Sequence, residues 1–360
     1  MNLSELDFHL PAERIAQHPL AERDASRMLL LNRVSGGWED REFREFPDLL
    51  HGNELIVLNN ARVLPARLFG YREGIRASEP GVHNPERQQF LRAQIEVLLV
   101  RQLSADTWET LVRPGRKIGV GERIQFGDGE LSAQVEGRGD YGLRVLRFSS
   151  RNGFHEALHR LGHIPLPPYI KRTDEPADRE RYQTVFARAG AAVAAPTAGL
   201  HFSAATLERL RGLEIEIAEI TLNVGLGTFE PVRTERVEDH NIHAESYEIP
   251  ETAAAAIAKA REEDRPVLAV GTTVVRALED AAAKNEGEVA PGNAEATIFL
   301  YPGKKFQVID QLLTNFHLPQ TSLLAMVAAF AGTENVLGAY RHAVEAQYRF
   351  YSYGDCMFIR

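Results

Sequence analysis

Three short stretches of this chain set chemically competent side chains between an apolar run and a helix. In residues 306–332, FQVIDQLLTNFHLPQTSLLAMVAAFAG, the trio Thr314, Asn315 and His317 follows an apolar run that reads as a strand. Pro319 ends that run because proline offers no N–H to a ladder. Thr321 or Ser322 can then cap a nearly all-apolar helix that Gly332 closes. In residues 196–203, PTAGLHFS, His201 stands just before a helical run that Ser203 is suited to cap. In residues 271–279, GTTVVRALE, Thr272 or Thr273 can cap a helix and Arg276 lies one turn inside it. An imidazole beside the positive end of a helix is held neutral, the form that accepts a proton. Open helix N–H groups accept anions. Each stretch also admits a plainer reading, in which the polar residues only satisfy backbone groups at a turn.

Other polar groups invite the same double reading. Asn59, Asn60, Arg62 and Arg67 follow the strand-like run 54–58. Their arginines can grip a carboxylate or phosphate through a planar fork, or can be solvated at a strand end. Gly225-Leu-Gly227 is an incomplete nucleotide loop: the third glycine is missing, and Glu230-Pro231 continues extended where a phosphate-binding helix would start. These glycines read as room for close approach of a ligand or strand. His240 and His243 have H-x-x-H spacing with Glu245 or Glu248 nearby, but the segment is strand-like and no metal is expected. Arg23, Asp24 and Ser26 read as a structural salt link. The aromatic C-terminus holds Tyr351, Tyr353 and Asp355, placed either to stack on a base or to pack a core.

The elements that must position these groups change character along the chain. At 360 residues two domains are the default. Residues 66–148 are short alternating segments separated by glycines and charges, the pattern of a small antiparallel β-barrel or sandwich, with a polar loop at 72–91. Elsewhere strands at 28–31, 54–59, 214–222 and 265–270 alternate with helices at 154–161, 178–186, 204–212 and 252–263, an α/β pattern. The expected organisation is a discontinuous α/β domain of residues 1–62 and 150–360 interrupted by a barrel at 63–149. Apolar residues make 44% and charged residues 25% of the chain, as in a soluble globular protein. The net charge of −9 argues against non-specific nucleic-acid binding. A single cysteine, Cys356, no apolar run long enough for a bilayer and no secretion signal fit a cytoplasmic location without a membrane partner.

Taken together, the stretches LNNARVLPARLFG, PTAGLHFS, LNVGLGTFEPV, HNIHAESYEI, GTTVVRALE, FLYPGKKFQVIDQLLTNFHLPQTSLLAMVAAFAG and YRFYSYGDCMFI resemble the S-adenosylmethionine:tRNA ribosyltransferase-isomerases of queuosine synthesis. The resemblance runs through nearly the whole chain in the family's order. Asn223 stands where the family has histidine, Ser203 stands for a usual threonine, and the 72–91 loop is long. The resemblance implies a larger mixed α/β domain interrupted by a small antiparallel β-barrel. It implies transfer and isomerisation of the ribosyl part of S-adenosylmethionine onto 7-aminomethyl-7-deazaguanine at the tRNA wobble position, with loss of adenine and methionine. It implies no metal and no cofactor beyond S-adenosylmethionine as co-substrate. A monomer is expected.

That chemistry suggests roles. A sulfonium acidifies the neighbouring C5′ hydrogens, so a base is needed; His201 and His317 are candidates, with Glu230 the next carboxylate. Arg276 and the turn at Gly271, Thr272 and Thr273 can take the methionine carboxylate. Tyr351, Tyr353 or Asp355 can face the sulfonium. Asn59, Arg62, Arg67, Thr197, Gly225, Gly227 and Asn315 complete the substrate-binding candidates. Two competing readings are a methyltransferase using the same co-substrate, which would leave S-adenosylhomocysteine, and a non-catalytic RNA-binding protein.

Overall fold

The computed structural model describes residues 1–73, 94–115, 118–139, 142–225 and 234–360, without the side chains at 190 and 191. It divides into two compact units. One comprises Met1–Arg62, Pro167–Thr173 and Glu180–Arg360; the other comprises Val63–Leu166 and Asp174–Arg179.

The first unit is built on a nine-stranded mixed sheet. Across it lie Gly292–Ala296, Glu245–Ile249, Glu216–Leu222, Leu55–Asn59, Val267–Val270, Gln311–Asn315, Cys356–Ile359, Arg27–Leu31 and Trp38–Glu42. The four central strands, from Glu216–Leu222 to Gln311–Asn315, run parallel. They are buried along most of their length, and Leu55–Asn59, Val267–Val270 and Gln311–Asn315 are buried throughout. A strand covered on both faces can be continuously apolar, which is why LIVLN and VLAV show no alternation. Consecutive central strands fall on opposite sides of Leu55–Asn59, which opens a crevice at the carboxyl ends.

Helices Glu251–Glu262, Thr272–Lys284 and Ser322–Ala331 contribute to a core with the sheet. The last is capped by Thr321, whose hydroxyl accepts from the Leu324 N–H, and Gly332 stops it with φ at +86°. Ser203 caps Ala204–Gly212 by accepting from the Thr206 N–H. Thr272 and Thr273 are not caps: Gly271, with φ at +94°, occupies that position and both threonines lie inside the first turn. No single helix among the described residues is long and apolar enough to cross a membrane.

Two expected elements are shorter than their apolar patterns. The strand read from residue 306 begins at Gln311. The backbone N–H groups of Gln307, Val308 and Ile309 are taken instead by the buried Glu279 carboxylate, at 2.7, 3.0 and 3.1 Å, so they are not available to a ladder. The helix read at 178–186 is a single turn, Asp178–Arg181. Beyond it Tyr182 and Phe186 are buried, and Phe186 meets Phe202 edge-on.

The second unit is a closed six-stranded antiparallel barrel. Around it run Arg144–Ser150, Thr107–Arg113, Gln94–Gln102, Arg67–Arg72, Arg123–Phe126 and Leu131–Arg138. Alternation is visible where one face is inside, as in Leu131–Arg138. This unit reaches Leu166. The reason is packing: Phe154 on the helix Phe154–Leu161 lies 4.9 Å from the Phe148 ring and 5.9 Å from Trp108, both barrel residues.

Candidate active site

The carboxyl ends of the central strands deliver Asn59, Gly271 and Asn315 to one region of the first unit. A cleft of about 490 Å³ opens there, lined among others by Thr197, Gly271, Thr272, Thr273, Thr314, Asn315, His317 and Tyr351. A second cavity of about 370 Å³ shares Thr272, Thr273 and Leu323 with it and continues to Glu245 and Arg276. A third, of about 290 Å³, shares Ser352 and holds His201, Ser26, Arg23, Arg181 and Tyr353.

Asn315 is the hub. Its Nδ2 lies 3.1 Å from the Tyr351 carbonyl, 3.5 Å from the Asp355 carbonyl and 3.1 Å from His201 Nε2. Carbonyls accept only, so the amide nitrogen must face them, and the amide orientation is fixed. His201 Nε2 is then the acceptor, and its Nδ1 carries the proton and donates to Ser26 Oγ at 2.6 Å. Asn315 Oδ1 is left buried without a partner, on a residue that lines the cleft. A buried acceptor without a donor costs roughly 1–3 kcal/mol, a cost that a hydrogen-bonding ligand would relieve.

Both candidate histidines are neutral. Burial pushes the His201 pKa down to about 3, helped by the nearby charges of Arg349 and Arg23. Burial alone takes His317 to about 3. His317 lines the cleft, its Nε2 3.0 Å from Thr314 Oγ1. His201 does not line it; its two nitrogens are engaged by Ser26 and Asn315. The positive helix end invoked from sequence is thus not the main cause of neutrality, which is loss of water.

Tyr351 reaches the cleft in the left-handed region, with φ at +72°, a cost for a non-glycine residue. Its N–H donates to the Phe316 carbonyl and its carbonyl accepts from Gly354 N–H. Its ring stands edge-on to Tyr169, 3.8 Å between centroids. Tyr348 and Phe350 of the same aromatic run are core and pack on Phe316.

Several expected binding residues are committed elsewhere. Arg276 donates to Glu245 at 2.5 Å and to the carbonyls of His243, Ala296 and Ile298, so its fork is filled from inside the protein. Glu245 in turn accepts from the Gly225 N–H at 2.9 Å. Asn59 uses Nδ2 on the Leu222 carbonyl and Thr273 Oγ1, and Oδ1 on the N–H groups of Ala61 and Leu222. Its work is to lock the strand end and the helix opening together. Asp355 is buried and accepts from the N–H groups of Arg27 and Arg349. Tyr353 lines the third cavity, not the cleft. Arg62 is exposed. Arg67 belongs to the barrel unit, where it contacts Glu96 and the Leu166 carbonyl. Gly227 and Glu230 lie outside the described residues, as does most of the 72–91 loop.

Arg23, Asp24 and Ser26 do not form the salt link read from sequence. Arg23 donates to the carbonyls of Leu200 and Glu180, Asp24 accepts from Ser203 Oγ, and Ser26 meets His201. Tyr169 and Ser352 also belong to the cleft and escaped sequence reading; a tyrosine in a proline-rich segment carries no local signal. Among the described residues no group of three acidic, histidine or cysteine side chains is arranged to hold a metal.

Comparison with known proteins gives this geometry a context. A relative from Solibacter usitatus named S-adenosylmethionine:tRNA ribosyltransferase-isomerase is 54% identical over the full length of both chains. One of the same name from Moorella thermoacetica is 50% identical, again over the full length of both. The crystal structure of an S-adenosylmethionine tRNA ribosyltransferase from Thermotoga maritima is 34% identical, with a TM-score of 0.54, covering 99% of this chain and 100% of that one. The profile of the family described as queuosine biosynthesis protein matches residues 3–359, and this chain belongs to that family.

Proposed function

We propose that this chain is an S-adenosylmethionine:tRNA ribosyltransferase-isomerase. It transfers the ribosyl moiety of S-adenosylmethionine to 7-aminomethyl-7-deazaguanine at the tRNA wobble position, isomerises it to the epoxy-cyclopentanediol of epoxyqueuosine, and releases adenine and methionine. The observation that carries this reading is the 54% identity, across the whole of both chains, to a relative of that name. In this reading S-adenosylmethionine is consumed as a co-substrate, no further cofactor takes part, and the enzyme works as a monomer in the cytoplasm.

The cleft at the strand ends is the natural seat of the reaction. Asn315 Oδ1 is a fixed, unpartnered acceptor for a substrate N–H or O–H. Thr197, Thr272 and Thr273 line the same space. Tyr351, with Tyr169 beside it, offers aromatic surface to a sulfonium. His317 is the imidazole on the cleft wall and is neutral without prior deprotonation. Burial makes its protonated form costly, so any proton it takes must be passed on quickly. Glu230 keeps its sequence-based role as the next proton acceptor. His201 is a positioning residue: it orients the Asn315 amide.

The test is to incubate the protein with S-adenosylmethionine and tRNA carrying 7-aminomethyl-7-deazaguanine, and to separate the small products by chromatography. Adenine and methionine released only with the modified tRNA are expected. S-adenosylhomocysteine with a methylated tRNA, or tRNA binding without turnover, would overturn the proposal.

A further inference from the structure

The third cavity contains an arrangement that the reaction as described leaves unused. Arg23 and Arg181 both line it, beside Ser26, His201 and Tyr353. Neither guanidinium has a carboxylate within ion-pair distance among the described residues. Arg23 donates only to backbone, at the Leu200 and Glu180 carbonyls, 3.3 and 2.7 Å away. Arg181 donates to the carbonyls of Ala21 and Leu20, both at 2.7 Å, and its Nε is buried without a partner. The two charges repel: burial and then the proximity of Arg181 both push the Arg23 pKa down. Arg349, whose Nη1 is also buried without a partner, is close enough to depress His201 in the same way.

Acidic groups offset this only in part: Tyr353 and Glu180 act to raise the Arg23 pKa, but less than burial and Arg181 lower it. Glu22 lines the cavity, but its carboxylate faces Arg44 at 3.8 Å and is 73% exposed. Asp355 accepts from the backbone N–H groups of Arg27 and Arg349. Bringing two half-buried guanidinium groups together without a counter-ion is unfavourable, and backbone carbonyls return only part of the lost hydration. An arrangement of this kind is stabilised when an oxyanion enters and takes the remaining N–H groups.

We infer that Arg23 and Arg181 form an oxyanion subsite beside the cleft, for a carboxylate or phosphodiester of a substrate. The inference rests on the proposed reaction for the identity of its ligands. Two substrates of that reaction supply such a group: the α-carboxylate of the methionyl part of S-adenosylmethionine, and the backbone phosphodiester of tRNA. The filled fork of Arg276 leaves the carboxylate without the partner expected for it, and this cavity shares the lining residue Ser352 with the cleft.

Inorganic phosphate is the first probe. In thermal denaturation of the full chain, phosphate should raise the midpoint relative to chloride at matched ionic strength. The shift should shrink in Arg23→Gln and in Arg181→Gln. The affinities for S-adenosylmethionine and for tRNA are then measured separately in the same variants. Loss of a charged hydrogen-bonded pair weakens binding on the order of 10- to 100-fold. That loss for S-adenosylmethionine alone identifies the carboxylate. That loss for tRNA alone, with a salt slope reduced by about one, identifies a phosphodiester. Should the glutamine variants not fold, Arg181→Lys keeps the charge and should keep the phosphate shift. Absence of a phosphate-specific shift in the wild type, or its full persistence in both glutamine variants, overturns the subsite. Adenine release by the wild type is scored independently, so a failed subsite and a failed reaction assignment give different results.

Discussion

The buried histidines make stability depend on pH in a way that can be calculated. In the folded chain His201 and His317 hold their protons only below about 3, whereas in the unfolded chain they titrate near 6.5. Between these values the unfolded state binds more protons, so the native state loses stability as pH falls from 6.5 toward 3. From pH 7 to 5.5 each histidine should remove about 1.2 kcal/mol, and the pair about 2.5 kcal/mol, by that linkage. The residues are 4% and 5% exposed, so solvent offers little screening. Asp355 and Glu279, both raised by burial, act in the opposite direction, so the wild-type slope alone does not isolate the histidines. The comparison is therefore with His201→Gln and His317→Gln. Trp38 belongs to the unit that holds both histidines and Trp108 to the barrel. Urea unfolding followed by fluorescence in a Trp108→Phe background thus reads the relevant unit. Each glutamine variant should recover about 1.2 kcal/mol of the loss between the two pH values. A pH dependence that neither variant alters would refute the burial argument and the neutral ground state with it.

Glu245→Gln removes the charge that Arg276 Nη1 meets at 2.5 Å and leaves a guanidinium buried without its counter-ion; unit unfolding in urea should show a loss of about 3–5 kcal/mol. Asn315→Asp keeps the size but removes the donor to His201 Nε2 and the Tyr351 carbonyl; adenine release should fall on the order of 100-fold or more, with Asn315→Ala similar, since a fixed active-site hydrogen bond is lost. Gly271→Ala places a side chain at φ +94° and ψ 151°, which should cost about 1–3 kcal/mol. The added Cβ meets Ala198 and Thr273 Oγ1 at an ordinary 3.6 Å, so the backbone alone is strained. Affinity for S-adenosylmethionine should fall with it, read by calorimetry.

Residue types were more legible in the sequence than residue partners. Strand ends announce themselves locally, because an apolar run stops and polar groups begin; Asn59, Thr272 and Asn315 were found that way and stand within one region. The barrel was legible for the same reason, since its strands alternate with a period of two. What a side chain does at a strand end is decided by groups distant in sequence. His201 is governed by Ser26, 175 positions away, and Asn315, 114 positions away. No local pattern distinguishes that histidine from one facing substrate.

Arg276 shows the same point with its sign reversed. An arginine one turn into a helix at a strand end suggests an anion site, and its chemistry is right for one. Glu245, delivered by a strand 31 residues earlier, reaches the guanidinium first. Arg23, in a segment that looked like a plain salt link, ends with no carboxylate because Asp24 turns to Ser203. Saturation of donors is thus a three-dimensional property, and counting it inverts the ranking that sequence gives the cations. The arginine that looked functional is satisfied, while Arg181, which no motif marks, stands beside Arg23 and retains a buried N–H without an acceptor. In a site that must receive anionic substrates, an unfilled fork is the better guide to where the anion goes than the position of the arginine in a motif.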